Sequence, residues 1–528
     1  MPHKRLKQRL VDAWGKMPDA HYFAGDMELI RLYADYRGKT GRDGFLLDDI
    51  TWRDLDMDRL FRRINPRRST SGEQYLYYQL RSPALERQAW QERLSLIHFA
   101  EEDPARRLRV ELILARLGCS RRADLCKAFA PEQHGAGLLR LYLILLLLLL
   151  GAVLGAVLGI RLCLPVVFCV LCLNFALHAW GKRKAGLQFD TVNYSVAMVY
   201  ALHRLRKLGD PGLDRLLTPA YKSLYRLRGV LRMGGVSTIS DGALGDMLAS
   251  ATLLDLITYE YLKNKLGRCF EDVFTIHEYL GKLDAAVAIA SYRASLGSFA
   301  EAELDFSGNP PSYMEAEAVT HPLLPDAVPN DILTEKPLLI TGSNASGKTT
   351  YLKSGALAAI MAQSICTVTA AHYRASAFRI YSSISIQDDL LAGESYYMAD
   401  IRSLKRILDA AESATPLLCV VDEVLRGTNT VERIAASCAL LAAFSEAGVL
   451  CLAATHDIEL CSLLKDRFRL YHFTEIPGER DLLFDYRLRS GPATSRNAIL
   501  LLSLMGFDRT LVESADARAA HYLETGRW

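Results

Sequence analysis

One stretch decides the fold of the C-terminal part of the chain: KPLLITGSNASGKTTYLKSGALAAIMA, from Lys336 to Ala362. Its apolar start predicts a buried strand and its end predicts a helix. Its middle matches the GxxxxGK[ST] pattern from Gly342 to Thr349. Glycines in such a loop let backbone N–H groups turn toward phosphate, and the following helix adds the positive end of its dipole. The stretch therefore predicts a phosphate-binding P-loop in an α/β domain.

The loop supplies the candidate nucleotide-binding residues. Lys348 is expected to reach the β- and γ-phosphates of ATP, and the Thr349 hydroxyl is expected to bind Mg²⁺. The whole predicted cradle consists of Gly342, Ser343, Asn344, Ala345, Ser346, Gly347, Lys348, Thr349 and Thr350. ATP and Mg²⁺ are therefore the cofactors that the sequence predicts.

Two further strands complete the predicted site. The segment PLLCVVDE is apolar up to Asp422, as expected of a buried parallel strand. Asp422 is expected to hold Mg²⁺, and Glu423 to orient or deprotonate the attacking water. A third buried strand is predicted in GVLCLAATHDIEL, after which His456 is expected to contact the γ-phosphate. A histidine at such a place is otherwise often only a cap or a surface residue. The predicted catalytic residues are thus Glu423, His456 and Lys348.

Length and composition fit a multidomain protein with one unusual insertion. The chain has 528 residues, of which 50% are hydrophobic and 23% charged, and its formal net charge is +3. About two to four domains are expected at this length. The nearly neutral charge gives no argument for nucleic-acid binding. The opening MPHKRLKQRLVDAWGKMPDA lacks the apolar region of a secretory signal, and 11 scattered cysteines favour a reducing cytosol.

The insertion is Leu138–Trp180, which has the composition of membrane-spanning helices. A helix needs about 20 apolar residues to cross a bilayer, and this segment is roughly twice as long. Arg161 lies in its middle, where an arginine within a span would cost about 2.5–3.5 kcal/mol. Two spans with Arg161 at the turn avoid that cost, and Gly159 and Pro165 bracket a candidate turn. The sequence therefore predicts a two-helix transmembrane hairpin.

Basic residues flank this segment on both sides: Arg121, Arg122 and Lys127 precede it, and Lys182, Arg183 and Lys184 follow it. Both flanks are therefore expected in the cytoplasm, which predicts a multi-pass protein of the cytoplasmic membrane with its ATPase domain inside the cell. The alternative is a buried helical hairpin in a large soluble core, although the segment has no polar face. Gly151, Gly155 and Gly159 permit close approach of a neighbouring helix, unless they merely fill a lipid-facing surface.

Beyond the P-loop, the motifs of residues 315–520 resemble those of the MutS mismatch-repair ATPases. The family's DE pair followed by RGTxT is matched by LLCVVDEVLRGTNTVERIAAS, and its DDL followed by a G-x-S-x-x-M loop by SISIQDDLLAGESYYMADI. Its approach to the P-loop is similar to HPLLPDAVPNDI, and its closing strand and helices to DYRLRSGPATSRNAILLLSLMGFDRTLVESA. The family's helical core resembles DLDMDRLFRRINPRRSTSGEQYLYYQLRSP.

The resemblance implies an ABC-type ATPase in which two domains sandwich two nucleotides. Ser395 is then expected to reach the partner's γ-phosphate across the dimer, and Arg426 to Thr430 to lie at the same interface. ATP binding closes such a dimer and hydrolysis releases it. The resemblance therefore implies a homodimer, and in the family the helical levers clamp DNA.

The chain departs from the family pattern in three respects. It begins almost directly at the helical core, with no N-terminal mismatch-reading domain, and Gly186–Ala300 is short for full levers plus a DNA clamp. Asn497 and Ala498 stand where the family often has aromatic and glycine residues, and Ala327 lies near the place of an aromatic that stacks on adenine. Contacts to the base are therefore expected to differ, whereas the phosphate chemistry is not.

The expected fold class is an α/β P-loop ABC-type ATPase domain joined to an all-α region that contains the transmembrane hairpin. Four parts are predicted: an N-terminal helical core (1–137), the transmembrane hairpin (138–180), a helical lever continuation (181–314) and a MutS-type ATPase domain (315–528).

Two functions stay open at this point. The first is a membrane-anchored ATPase that engages DNA, for which the basic stretch FRRINPRRST offers candidate phosphate contacts. The same stretch is otherwise a solvated helix end. The second is a membrane ATPase whose dimer closure acts on a protein partner. A scaffold without turnover is disfavoured by the full set of Lys348, Thr349, Asp422 and Glu423.

Overall fold

The computed structural model describes residues 2–41, 44–120, 122–125, 137–233, 243–343, 346–384, 396–425, 429–477, 482–493, 499, 502 and 506–525. The chain forms two compact units. The first comprises Met1–Asp43, Ile64–Tyr78 and Ser95–Ser295, and the second comprises Gly44–Arg63, Gln79–Leu94 and Leu296–Trp528. The chain thus passes between the units after residues 43, 63, 78, 94 and 295. The four parts proposed from the sequence stay a prediction.

Helices dominate the described residues before residue 296. They are α1 (Pro2–Ala13), α2 (Asp26–Thr40), α3 (Asp49–Asp54), α4 (Met57–Ile64), α5 (Thr70–Arg81), α6 (Arg87–Glu102), α7 (Pro104–Leu117), α8 (Gly137–Val157), α9 (Cys163–Arg206), α10 (Pro211–Arg226), α11 (Arg228–Met233), α12 (Ala243–Thr252), α13 (Leu254–Arg268) and α14 (Phe270–Ser295). Aspartates cap several N-termini, as Asp103 does for α7 and Asp210 for α10, because a carboxylate accepts from N–H groups that lack helical partners.

The core of the first unit lies where the second half of α9 meets α10, α13 and α14. Leu202, Leu217, Leu266 and Leu280 are all buried there. Each such side chain contributes about 1.5–3 kcal/mol when it leaves water. The residues of this core lie outside the two apolar segments described next.

Two helices are long and apolar enough to cross a membrane, by length and composition: Leu138–Val157 and Cys163–Arg183. Arg161 lies in the turn between them, where Gly159 has a positive φ of 89°. A Cβ on Gly155 would lie 2.6 Å from Cys163 Sγ, whereas nothing lies within 4 Å of one on Gly151. The glycine series is therefore not one continuous packing stripe. At Gly186, α9 is kinked by non-helical backbone angles.

The second unit is a mixed α/β structure. Its strands are β1 (Ala300–Glu301), β2 (Glu303–Asp305), β3 (Met314–Val319), β4 (Asn330–Thr334), β5 (Leu338–Thr341), β6 (Thr367–Val368), β7 (His372–Ser376), β8 (Arg379–Ser383), β9 (Leu417–Asp422), β10 (Leu450–Thr455), β11 (Arg469–Pro477) and β12 (Leu482–Ser490). Its other helices are α15 (Lys348–Ile365), α16 (Tyr396–Ala411), α17 (Thr430–Glu446), α18 (Glu459–Leu464) and α19 (Arg509–Thr525).

A six-stranded sheet forms the centre of this unit, in the order β12-β11-β5-β10-β9-β8. All neighbours pair in parallel except β11 with β12, which are antiparallel. Every residue of β5, β9 and β10 is buried, as expected for central strands of a parallel sheet. The carboxyl ends of these three strands meet at one edge, which is where ligands bind in such sheets.

A second sheet, in the order β2-β7-β3-β4, lies in the same unit, as does the short pair β1-β6. The segment Gly44–Arg63 belongs here because its helix α3 packs on β8. The buried carboxylate of Asp54 accepts hydrogen bonds from Ser382 Oγ at 2.7 Å and from the backbone N–H of Ile384 at 2.9 Å. A mixed α/β part and a helical N-terminal part are therefore present, as the sequence predicts at that level.

Candidate nucleotide-binding site

The P-loop leaves β5 and enters α15 through glycines in the left-handed region. Gly342 has φ 143° and Gly347 has φ 101°, a backbone conformation that side chains rarely tolerate. A Cβ on Gly342 would also lie 3.0 Å from both Phe473 O and Ser346 Oγ. Ser346 Oγ itself donates to Ser343 O at 2.8 Å and tightens the turn. Both glycines of the motif are therefore required by the backbone.

Lys348 begins α15 and is 1% exposed. Its ammonium group donates to the carbonyl oxygens of Gly342 and Ser343, the latter at 2.7 Å. The positive charge is thus held against the loop at the N-terminus of a helix, where anions are favoured. A phosphate group that enters the loop would compete with these carbonyls for the same N–H donors.

Thr349 and Asp422 come together although they are 73 residues apart. Thr349 Oγ1 donates to Asp422 Oδ2 at 2.6 Å, at the carboxyl end of β9. A hydroxyl and a carboxylate side by side are hard oxygen ligands of the kind that Mg²⁺ prefers. The two residues predicted to hold the metal ion therefore form a donor set that fits it.

Glu423 and His456 are in direct contact through Glu423 Oε1 and His456 Nε2. The other ring nitrogen of His456 lies 3.1 Å from the carbonyl oxygen of Gly342 and can donate to it, which links this pair to the P-loop. Glu423 has a positive φ of 55°, as does Leu425 at 57°. Non-glycine residues in this region cost on the order of 1 kcal/mol each and occur most often at functional sites.

An ion pair that the sequence analysis missed supports His456. Arg433 on α17 binds Asp457, the residue after His456, through two hydrogen bonds of 2.6 and 3.0 Å. The bond to Asp457 raises the pKa of Arg433 and keeps this pair charged. The signal in the sequence was the acidic residue directly after the histidine, but its partner 24 residues earlier follows only from the fold.

A cavity of about 480 Å³ opens beside Gly347, Thr349 and Thr350. Tyr486 lines it, and a Cβ on Gly347 would lie 3.1 Å from the Tyr486 ring. Asn330 fixes this part of β12, because it donates to Tyr486 O at 2.9 Å and accepts from Leu488 N at 2.8 Å. The sequence analysis did not single out this tyrosine.

Ala327 and His321 line the same cavity. Burial lowers the pKa of His321 to about 4, and Lys353 lowers it further, against the opposite effect of Asp56. His321 is therefore neutral near neutral pH, and its Nδ1 accepts a hydrogen bond from Leu323 N at 3.3 Å. The cavity is thus bordered by a neutral imidazole, apolar and polar side chains, and three aromatic residues, Tyr351, Phe473 and Tyr486.

The structure brings together most of the residues predicted for the site: the described loop residues, Lys348, Thr349, Thr350, Asp422, Glu423 and His456. Asn344, Ala345 and Ser395 lie outside the described residues. So do Arg426, Asn497 and Ala498. Their predicted roles stay predictions.

Two arginines of the basic stretch that suggested phosphate contacts to DNA have a different environment from either one predicted. Arg67 pairs with Asp26 at 2.6 Å, and the Asp26 bond raises the pKa of Arg67 against the effect of burial. Arg68 is buried and pairs with Glu111 at 2.7 Å and with Asp284 at 3.2 Å. These two arginines are structural ion pairs inside the helical unit, so they neither project into solvent nor present free charge to a phosphate backbone.

Comparison with known proteins agrees with this geometry. Residues 338–523, from β5 to α19, match the family model of MutS domain V. The chain is MutS-related. The match includes Lys348, Thr349, Asp422 and His456, so it covers the P-loop and the residues around it. It confirms the family resemblance inferred from the motifs, and it leaves the absence of a mismatch-recognition domain a prediction.

The similar proteins are named as DNA mismatch repair proteins. The MutS of Thermus thermophilus is 33% identical over 192 residues, which cover 36% of this chain and 23% of that protein. The MutS of Natronomonas pharaonis is 34% identical over 193 residues, 36% of this chain and 22% of that protein. In Caulobacter, MutS is 28% identical over 297 residues, 52% of this chain and 32% of that protein. The chain therefore spans less than a third of the length of these relatives.

Proposed function

We propose that this chain is a MutS-type ATP hydrolase anchored in the cytoplasmic membrane. The observation that carries the proposal is the meeting of Lys348, the Thr349–Asp422 pair and the Glu423–His456 pair around one P-loop. These groups are the ones that phosphoryl transfer to water requires: a cation for the phosphates, ligands for Mg²⁺ and a base beside them.

Each residue has a proposed role in this reaction. Lys348 and the loop N–H groups hold the β- and γ-phosphates, and Thr349 and Asp422 hold Mg²⁺, which neutralises charge on those phosphates. Glu423 orients the attacking water and accepts its proton. His456 lies between Glu423 and the Gly342 carbonyl. From this position it is proposed to contact the γ-phosphate of ATP. The Arg433–Asp457 pair acts through His456 by positioning it.

The cavity beside Thr350 is proposed to take the adenosine part of ATP. Its volume suits a ligand of this size, and the Tyr486 ring offers an aromatic surface on which a purine can stack. Ala327 also lines the cavity but has no ring, so Tyr486 is proposed to provide the stacking surface.

Mutation of the P-loop lysine tests ATP hydrolysis directly. Lys348→Ala should lose both ATP binding and Mg²⁺-dependent phosphate release in the detergent-solubilised full-length protein. Lys405→Ala is a matched control, because Lys405 is an exposed helix lysine paired with Asp409 one turn away. Equal turnover by Lys348→Ala and the control would refute the proposal that this loop binds the reacting nucleotide.

The active form is proposed to be a homodimer that sandwiches two ATP molecules, with Ser395 and Arg426 to Thr430 contributing across the interface. The support is the MutS resemblance and the match to MutS domain V. Blocking hydrolysis with Glu423→Gln should make ATP and Mg²⁺ drive dimer formation, which size-exclusion chromatography with light scattering can measure. A protein that stays monomeric with saturating ATP contradicts the sandwich.

The helices Leu138–Val157 and Cys163–Arg183 are proposed to be the transmembrane hairpin. Only 28% and 17% of their most apolar windows are buried within the chain. Large apolar side chains of both helices face outward, with Leu147 68% and Phe168 70% exposed. A soluble core would cover such side chains, whereas a bilayer solvates them. Alkaline and high-salt washing should leave the protein in the membrane pellet, and extraction by either wash would refute the anchor.

DNA is the proposed target of ATP-driven closure, and a protein partner is the alternative. The support for DNA is the mismatch-repair function printed in the names of the relatives. Arg67 and Arg68 no longer support it, because they are engaged in internal ion pairs. Binding of duplex DNA to the solubilised protein should weaken with rising salt if phosphates are contacted. No binding at low salt, with ATP hydrolysis intact, would favour the protein partner.

A further inference from the structure

The second apolar span carries three polar side chains on one face. Asn174, His178 and Lys182 follow one another at intervals of four residues, which places them in one row along α9. Asn174 and His178 are buried, in a helix whose neighbouring side chains Leu173 and Phe175 are exposed. Polar groups inside a span are costly unless they meet partners, so the partners of this row identify what packs beside it.

Among the residues that the structure describes, the polar partners of this row lie on α12 or α13. Asn174 Nδ2 donates to the Ala251 carbonyl at 2.6 Å, and His178 Nε2 lies 2.9 Å from Asp255 Oδ2. The further contacts are His178 Nδ1 with Ser250 Oγ at 3.1 Å, and Lys182 Nζ with Asp246 and Asp255, both at 3.7 Å. Because α12 ends at Thr252 and α13 begins at Leu254, the row binds the turn between them.

The depth of this turn can be measured along both spans. Asn174 lies nine residues before Arg183, the end of the second span, which is about 13 Å at the helical rise per residue. Leu253, in the turn, packs in one cluster with Leu145 of α8. Leu145 lies seven residues after Leu138, the start of the first span, or about 10 Å. Both measures agree on a depth approaching half of the hydrocarbon core, which is about 30 Å thick.

The polar side chains in and near the turn make hydrogen bonds within their own helices, which is compatible with a lipid environment. The hydroxyls of Ser250, Thr252 and Thr258 each donate to the carbonyl four residues earlier, at 2.6–2.7 Å. Side chains in membrane helices use this bond because no water competes for it. The Ala251 carbonyl lies in the last turn of α12, where helices leave carbonyls without helical partners, and Asn174 supplies its donor.

The outward face of the turn is apolar. Met247 is 64% exposed and Leu248 is 60% exposed, and Leu254 is exposed beside them. Farther along α13, Tyr259 bonds to Gln188, which lies five residues beyond the end of the second span. Met247, Leu248 and Leu254 therefore all lie on the span side of this bond.

We infer that α12 and the first turn of α13 form a re-entrant helical hairpin that dips from the cytoplasmic side into the bilayer, with lipid acyl chains against Met247, Leu248 and Leu254. This inference rests on the proposed transmembrane hairpin, since the depth is measured along its two spans. The row Asn174–His178–Lys182 is the seam that holds the re-entrant hairpin to the second span. The chain therefore has a membrane-embedded element that hydropathy of the two spans alone does not reveal.

Photocrosslinking to lipid tests the inference in the full-length protein. A diazirine amino acid is introduced at position 248, at position 147 in the first span, or at position 225, which is an exposed tyrosine on α10 of the same unit. Each protein is reconstituted into phosphatidylcholine–phosphatidylglycerol vesicles that contain a lipid with a fluorescent acyl chain. Lipid adducts should form in roughly equal yield at 248 and 147 and at least about 10-fold less at 225.

The three positions separate the inference from the proposal beneath it. Adducts at 147 without adducts at 248 overturn the re-entrant hairpin and leave the transmembrane hairpin standing. Adducts at neither position overturn both. A protein crosslink at 248, to a second copy or another chain, also overturns the inference, because it shows that protein and not lipid covers Met247 and Leu248. The same measurement with the diazirine amino acid at position 247 controls for poor reactivity at position 248.

Discussion

The nucleotide site and the polar row of the proposed membrane hairpin (Asn174, His178 and Lys182) both gather polar side chains among apolar ones, but they direct these groups differently. This row and its partners on α12 and α13 are called the seam. At the P-loop, Lys348, Thr349 and Asp422 point to a common space where a ligand is proposed to enter. In the seam, Asn174 and His178 are turned entirely toward the chain's own α12 and α13. Substitutions at the first place should therefore change turnover with little loss of stability, and substitutions at the second should do the reverse.

The largest expected effect comes from Glu423→Gln. Loss of the carboxylate should lower kcat by about 100-fold or more, because water is no longer oriented and deprotonated, while ATP still binds. Steady-state phosphate release and ATP binding to the same preparation measure the two quantities. The melting temperature should stay close to that of the wild type.

Glu432→Gln offers a control for this change, since Glu432 is an exposed carboxylate in the first turn of α17. It should turn over ATP at the wild-type rate. Wild-type turnover by Glu423→Gln would show that another group activates the water and that the Glu423–His456 pair is structural.

The next effect is expected in the seam. Asp255→Ala removes the acceptor of His178 and the neighbour of Lys182, so it should lower the free energy of unfolding by about 1–3 kcal/mol. ATP turnover per folded molecule should not change. Thermal melting in lipid nanodiscs, with phosphate release on the same sample, tests both statements.

Asp246→Ala is the matched control, because Asp246 also lies 3.7 Å from Lys182 but is largely exposed. Its effect should stay within about 0.5 kcal/mol, as for other exposed ion pairs. If Asp255→Ala slowed ATP hydrolysis and left melting unchanged, the contrast between the two regions would be wrong.

A smaller effect is expected at Tyr486, which is proposed to bind the base of ATP and to take no part in hydrolysis. Tyr486→Ala should weaken ATP binding by roughly 10-fold, which is within the range of a lost base–aromatic stack, whereas Tyr486→Phe should keep it. Binding of tripolyphosphate, which has no base, should be the same in all three proteins. A loss of tripolyphosphate binding in Tyr486→Ala would mean that the residue shapes the P-loop through Gly347 and does not stack on the base.

The sequence predicted those contacts whose residues lie close together in the chain or at the ends of recognisable strands. The P-loop residues are contiguous, and the β9 and β10 segments were recognisable because their buried strands are continuous apolar runs that end at Asp422 and His456. The parallel sheet then joins their ends by a general rule of such folds. The local pattern alone therefore groups these residues.

The remaining features depend on contacts that no local pattern contains. Tyr486 reaches the cavity from an antiparallel edge strand with a positive φ of 52°. Asn174 and Ala251 are 77 residues apart and meet through a helix turn that reads in sequence as an ordinary apolar segment. Arg67 and Arg68 looked like surface charge because their acidic partners come from other helices. Long-range pairing, not composition, decided each of these cases.

The last effect is on stability alone and concerns a buried histidine of the helical unit for which no ligand is proposed. His277 is fully buried and lies 3.0 Å from Ser71 Oγ through Nδ1, and burial lowers its pKa to about 3. The unfolded chain binds a proton at this histidine below its ordinary pKa of 6.5, and the folded chain does not until about 3. The stability that His277 contributes is therefore lost as pH falls from 6.5 toward 3.

A neighbouring carboxyl opposes this trend, so the measurement must be a difference. Burial raises the pKa of Glu73 from 4.5 to about 7, and its contribution is lost as pH rises through that range. Denaturant unfolding of the wild type and of His277→Gln between pH 4 and 7 cancels the Glu73 contribution, and the difference should shrink as the pH is lowered. His521→Gln, at an exposed position of α19, should show no such change. A constant difference across this range would mean that His277 takes up a proton as easily in the folded protein as in the unfolded chain, in conflict with its burial.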